Sequence, residues 1–354
     1  MKTWFKALAL AFLAPVVTLA GSAPALADAK DKRLDVYWVD VEGGNATLFV
    51  TPAGESILFD TGYPGDRDAE RIRKTVTEIA GLKKIDHLVI THFHGDHYGA
   101  LPDIVKRVPV GKLYERSLDS APTKERENEG IAGYKAAKVG KRIQARLGQR
   151  LPLKQAKGAA KLEFRFIGMN EKFAPAKGAK DNQELCATSK EKPLDQSDNR
   201  NSLVTLVTFG PFRFFEGGDI TWNTEAKLVC PKNLVGAPID VFQIDHHGLD
   251  QSNNPVLVKT LAPTVAVVNN GPRKGGEMGS FEALKATPSI QTIYQVHRNV
   301  RLGPELNTAP ELTANHDEDC AGNHIKLSVD PKGRAYTVSV PATNHEKAYA
   351  TRAQ

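Results

Sequence analysis

Apolar positions along the chain fall into short runs separated by turn signals, with helical spacing in one early stretch. ATLFV (46–50) and ILFDTG (57–62), joined by TPAGES, read as a hairpin. In DRDAERIRKTVTEIAG, Ile72, Val76 and Ile79 share a helical face, and the helix is expected to stop near Gly81. KIDHLVI (84–90) then reads as a buried strand that runs directly into THFHGDHYG, and YGALPDIVKRV restarts a helix behind it. This order predicts an α/β layout with the histidine cluster at a strand's carboxyl end.

The texture changes between about 115 and 200. The stretch beginning YERSLDSAPTKEREN is strongly charged with scattered helical character, and APAKGAKDNQELCATSKEKPLDQSDNR reads as loop. A partly helical insertion over about 115–200, lying near the site as a lid or cap, is expected. The strand pattern returns in SLVTLVTF, FRFFEGGD, IDVFQIDHHG, TVAVVNNG, TIYQVH and HIKLSV, the last turning through DPKGR into AYTVSV. The body is placed at 28–345, with a short tail from 346 to 354.

The first residues form a separate unit. MKTWFK is basic, ALALAFLAPVVTLA apolar, and SAPALADAK offers an Ala-Leu-Ala site, the order of a secretory signal over 1–27 with cleavage after Ala27. A membrane anchor is the competing reading; the short run and its Pro15 count against it. Export to the periplasm or medium, with no stable membrane insertion afterwards, is therefore expected. In that oxidising space Cys186, Cys230 and Cys320 can supply one disulfide and one spare thiol, with the pairing open. No CxxC spacing occurs, which argues against a thiolate zinc site. The net charge of +6 includes Lys2 and Lys6, so the processed chain carries about +4, which suits an anionic substrate without requiring one.

Only ten histidines occur in the chain, yet three of them and an aspartate fall between His92 and His97. A sharp loop can turn His92 and His94 toward one point, and Asp96 with His97 toward another. Imidazole nitrogen and carboxylate oxygen suit Zn2+, and also Mn2+ or Fe2+. Two further strand ends deliver Asp219, through two glycines, and the pair His246/His247. Together these residues make a plausible two-ion site, whereas each alone is more often a turn former or polar surface.

THFHGDH resembles the HxHxDH signature of the metallo-β-lactamase fold superfamily. ILFDTG looks like that family's early aspartate motif, EGGD like its bridging aspartate, and DHHG like its final histidine motif. The resemblance runs from about Leu34 to Val340 and implies an αββα four-layer sandwich, with helices outside two facing sheets and metals at one edge. It further implies that His92 and His94 hold a first ion. Asp96, His97 and one of His246/His247 would hold a second, with Asp219 bridging and Asp60 orienting the ligands from behind. His247 is preferred as the ligand, leaving His246 as a substrate or outer contact. Many members supply another histidine before the bridging aspartate, but none occurs from Tyr98 through Asp245. SDNRNSLVTLV stands there, similar to the branch that includes the nuclease-like domain of the DNA-uptake protein ComEC/Rec2. VDVEGGNATLF and DVFQIDHHGLDQS resemble that branch's other motifs, departing from them at Glu42-Gly43, Asp245 and Leu249. Asp198, Asn199 or Asn201, or else water, could complete the first ion's ligands.

The chemistry implied is hydrolysis, with Asp96 and Asp219 as catalytic carboxylates and two divalent ions, Zn2+ by preference, activating water. A phosphodiester or other phosphoester, in a small molecule or nucleic acid, is the expected substrate. A lactam, lactone or thioester, and a noncatalytic metal-binding module, are the alternatives. Arg200 and Arg273 are weaker candidates for neutralising a phosphate, and His297 and His324 for touching substrate. The basic run Lys135–Arg150 lacks the interleaved aromatics of a single-strand binder. No protein partner is expected.

Overall fold

The computed structural model describes residues 31–236 and 238–352; the leader expected over 1–27 lies outside them. Two large sheets dominate. The first has nine strands in the spatial order 345–350, 335–340, 325–329, 34–38, 47–50, 56–59, 85–89, 110–115 and 141–144. The second has eight, in the order 313–315, 292–297, 265–268, 241–243, 212–216, 204–209, 162–169 and 172–173.

The faces of the strands explain the layering. In Leu34–Trp38 the side chains of Leu34, Val36 and Trp38 enter the space between the sheets, while Tyr37 faces outward into a second apolar cluster. Phe49, Phe59, Phe164 and Phe214 meet in that central space, with ring centroids 5.0–5.6 Å apart where Phe49 meets the other three. Outside the first sheet, Ile72, Val76, Leu101 and Ile104 from helical segments cover Leu48, Leu58 and Leu88. Outside the second, helices Trp222–Val229, Pro255–Leu261 and Met278–Lys285 cover Phe215, Phe242 and Val268. Strands apolar on both faces therefore sit between helical layers, giving the expected αββα sandwich.

The early elements follow the sequence pattern. The helix begins at Asp66 and continues through a wider π turn to Ile79, and the chain leaves it through Gly81 at φ +68°. The stretch 115–200 differs from expectation. Lys141–Gln144 extends the first sheet in parallel with Val110–Glu115, and Leu162–Met169 lies inside the second sheet. Alternating Leu162, Phe164 and Phe166 carried a strand signal that the surrounding charge obscured. The stretch is therefore not one insertion: its non-sheet parts include helical turns at 118–120, 123–126, 130–136 and 183–186 and the loop before Asp198. The expected tail from 346 is likewise structured, since His345–Ala350 pairs antiparallel with Ala335–Val340. Cys186 and Cys230 form the disulfide, tying 183–186 to the end of helix 222–229, and Cys320 is free.

Strands 56–59, 85–89 and 110–115 run parallel in the first sheet, as do 212–216, 241–243 and 265–268 in the second. The loops after all six of these strands carry the polar groups described next.

Candidate metal centre

Strand 56–59 ends in Asp60, which adopts φ +59°, a left-handed conformation that aspartate tolerates better than most residues. Its carboxylate accepts hydrogen bonds from Thr91 N at 2.7 Å, Thr91 Oγ1 at 2.8 Å and Asn45 Nδ2 at 2.9 Å. The same Oδ2 lies 2.7 Å from His97 Nδ1. Asp60 thus holds a proton on Nδ1 and leaves Nε2 facing the centre, the usual arrangement behind a ligating imidazole.

The second sheet contributes from the opposite side. After Phe212–Glu216 the chain turns through Gly217 and Gly218, the latter at φ +61°, and presents Asp219. A side chain at Gly217 would place its Cβ 2.0 Å from Asp245 Oδ1, so this glycine is required by the residue that precedes the histidine pair. His246 and His247 both take left-handed backbone, at φ +53° and +56°. Such strain costs of order 1 kcal/mol or more per residue; it aims both rings into the site from adjacent positions.

Four donors converge. His97 Nε2 lies 3.1 Å from Asp219 Oδ2 and 3.2 Å from His247 Nε2, and His247 Nε2 lies 3.3 Å from Asp219 Oδ2. Asp96 Oδ2 joins them at 3.6 Å from His97 and 3.4 Å from His247. Bonds of about 2.0 Å arranged tetrahedrally around one ion separate their donors by about 3.3 Å. The Asp96, His97, Asp219 and His247 group therefore fits a divalent ion in both chemistry and spacing. His92 Nε2 stands 3.8 Å and His246 Nε2 3.7 Å from the same Asp219 oxygen, and His92 Nε2 is 3.0 Å from His94 Nδ1. Asp219 Oδ2 is thus the point that His92, His97, His246 and His247 share.

Charges follow from this crowding. Burial opposes ionisation of Asp219, but His247, His97, His246 and His92 outweigh it and hold the carboxyl well below its usual range. Asp96 is held low in the same way, against burial, chiefly by His97 and His247, with Lys274 adding. Burial also disfavours a charged His97, yet Asp219, Asp60 and Asp96 raise it well above an ordinary histidine. His92 and His246 are depressed by burial first, His246 to about 4, and so stay neutral donors.

The remaining expected residues separate. Asn199 donates from Nδ2 to His246 Nε2 at 3.2 Å, and its buried Oδ1 has no hydrogen-bond partner. Asn201 instead donates to Asp198 at 3.1 Å. Asp198, suggested as a ligand, is committed elsewhere: it pairs with buried Arg116 and accepts from Phe93 N at 2.8 Å, so it braces the histidine loop. Arg273 turns outward to Glu318, and Arg200 lies 3.9 Å from Glu171. His324 packs on Tyr37, and His297 is buried outside this group.

Two residues escaped the sequence reading. Lys274, next to Arg273, contacts Asp96 and lies 3.3 Å from Tyr63 OH. Glu125, on the turn 123–126, lies 3.2 Å from His94 Nε2. The glycine-rich loop GPRKGG was a signal for the first; nothing local marked the second. Glu125, His94, Asp96 and Asn199 line a cleft of about 740 Å3, together with residues 195–197.

The model of the Metallo-beta-lactamase superfamily matches residues 39–163, which include Asp60 and the whole histidine cluster. Competence protein ComA of Neisseria gonorrhoeae is 23% identical over 231 residues, covering 65% of this chain and 26% of that protein. Recombination protein 2 of Haemophilus influenzae is 24% identical over 235 residues, 66% of this chain and 24% of that protein. The chain thus spans about a quarter of the length of these relatives. Among solved structures, Tm1679, a metal-dependent hydrolase of the beta-lactamase superfamily, is 15% identical with a TM-score of 0.43, covering 75% of this chain and 96% of that one.

Proposed function

For this chain, a metal-dependent hydrolase of the metallo-β-lactamase superfamily with relatives in the ComEC/Rec2-like branch, we propose an exported, dinuclear phosphodiesterase. The observation that carries the reading is the shared Asp219 oxygen, with His97 and His247 on one hand and His92 and His246 on the other. Asp96, His97, Asp219 and His247 would hold one ion. His92 and His94 would hold the other, with Asp219 between and Asn199 and His246 beside it. Two such ions, Zn2+ by preference and Mn2+ or Fe2+ otherwise, supply an activated water and positive charge for the substrate's oxygens.

The chain's own residues supply the rest. Asp60 fixes His97 as an Nε2 donor, and Glu125 orients His94 through its other nitrogen. Lys274 pairs with Asp96, which lines the cleft, and so brings a cation to the edge of the site, as an anionic substrate would favour. Relatives named for competence and recombination make nucleic acid a substrate to test beside small phosphodiesters. Export is supported by the N-terminal pattern and agrees with the Cys186–Cys230 disulfide.

The test combines metal analysis with turnover of bis(p-nitrophenyl) phosphate, single-stranded DNA and a chromogenic lactam. Two ions per chain and phosphodiester cleavage lost in Asp219→Ala are expected. Lactam turnover without phosphodiester cleavage would overturn the reading, and absence of both metal and turnover would favour a binding module.

A further inference from the structure

Away from Asp219, three distant stretches bring a carboxylate, an imidazole and a thiol together. Asp40 lies just beyond strand 34–38 of the first sheet, and His297 ends strand 292–297 of the second. Cys320 sits in the connection from 313–315 to 325–329, which passes from one sheet to the other. One donor atom of each lies within 4.8 Å of the other two. The Cys320 thiol donates to Asp40 Oδ2 at 3.2 Å. His297 is fully buried; its Nδ1 meets Arg298 O at 3.0 Å, which sets that nitrogen as the N–H donor. Its Nε2, the acceptor in that tautomer, is buried and has no hydrogen-bond partner.

A buried imidazole nitrogen normally finds a partner, because leaving it bare costs about 1–3 kcal/mol. The His297 ring shares a small space with a thiol and a carboxylate, the donor types that zinc-class ions accept together. Charge is consistent with that. Arg71 lies 3.2 Å from Asp40 Oδ2 and 3.0 Å from Glu42 Oε1, so with a thiolate at Cys320 these four side chains carry a net charge of about −2, which one divalent ion balances.

We propose that Asp40, His297 and Cys320 form a second metal site that binds one zinc-class divalent ion and shares no residue with the Asp219 centre. The ion would tie the first sheet's opening turn to the strand ends of the second. That turn runs on through Glu42 and Gly43, both at positive φ, to Asn45, which donates to Asp60. The site is therefore structural, and it stiffens the loop that supports the catalytic side.

Cys186 and Cys230 are bridged, so Cys320 is the only thiol in the chain. The full chain, stripped of metal and titrated with Co2+, should develop a thiolate-to-cobalt charge-transfer absorption that the all-N/O Asp219 centre cannot produce. The band should persist in Asp219→Ala, vanish in Cys320→Ser, and require at least about tenfold more Co2+ in His297→Gln. Zn2+ should slow alkylation of Cys320 by about tenfold or more in the natural chain and in Asp219→Ala. No charge-transfer band, a band indifferent to His297→Gln, or an alkylation rate unchanged by Zn2+ would each overturn the site. None of these readouts depends on phosphodiester turnover.

Discussion

The two sides of the Asp219 centre are built from different material. On the His97 side every donor is buried at the end of a core strand or on the loop that follows one, and Asp60 buttresses the ring through a fully buried network. On the His92 side, His94 is 27% exposed, its partner Glu125 comes from a four-residue helical turn, and Asn199 comes from a loop entering the second sheet. Preorganisation by packing therefore differs on the two sides of one shared carboxylate. The first arrangement should hold an ion with little reorganisation, while the second depends on loops that have to stay in place.

The largest way to break this asymmetry is to remove what both sides share. Asp219→Ala should lower phosphodiester turnover by about 10³-fold and reduce bound metal on both sides, read by turnover and metal analysis. Loss of only one ion would show that Asp219 does not bridge. Next, Arg116→Ala leaves Asp198 buried without its counter-charge and should cost about 3–5 kcal/mol in denaturant unfolding. A much smaller cost would mean that the brace behind the His92 side is relieved by solvent. Asp60→Asn should weaken the ion on the His97 side by about 10–100-fold while the fold persists. Glu125→Ala should act only on the His92 side, with an effect of about tenfold or less on the affinity of the more exchangeable ion. Equal effects of these two changes on both ions would erase the distinction.

Titration sharpens the same contrast. In metal-free protein His97 is raised above its ordinary value, about 6.5 in unfolded chains. Its contribution to stability is fully present below that value and lost as pH rises through the raised folded one. Ion binding requires Nε2 to give up its proton, so affinity should fall as pH falls and loading should release protons. Calorimetry in buffers of different ionisation enthalpy measures that release; its absence at neutral pH would contradict a ligating His97.

Much of this was legible in the residues. Ile72, Val76 and Ile79 marked a helix that forms, and the apolar runs from SLVTLVTF to AYTVSV became strands. The strand Leu162–Met169 was not legible, because its alternating Leu162, Phe164 and Phe166 lie within a strongly charged stretch. The left-handed turn sorts His247 into the tight donor group and His246 toward Asn199 and Ser252. Lys274 rather than Arg273 reaches the site because neighbours in a loop point in different directions.

The sequence by itself determined the histidine-rich loop, since residues 92–97 are fixed relative to one another by a few backbone torsions. It also determined the two-faced apolar strands that demand covering layers. Only the tertiary structure decided what meets that loop. Strand order and register bring Asp60, Asp219 and His247 to one point, place Glu125 on His94, and commit Asp198 to Arg116. Those contacts join residues far apart in the chain, and long-range packing rather than local pattern sets their geometry.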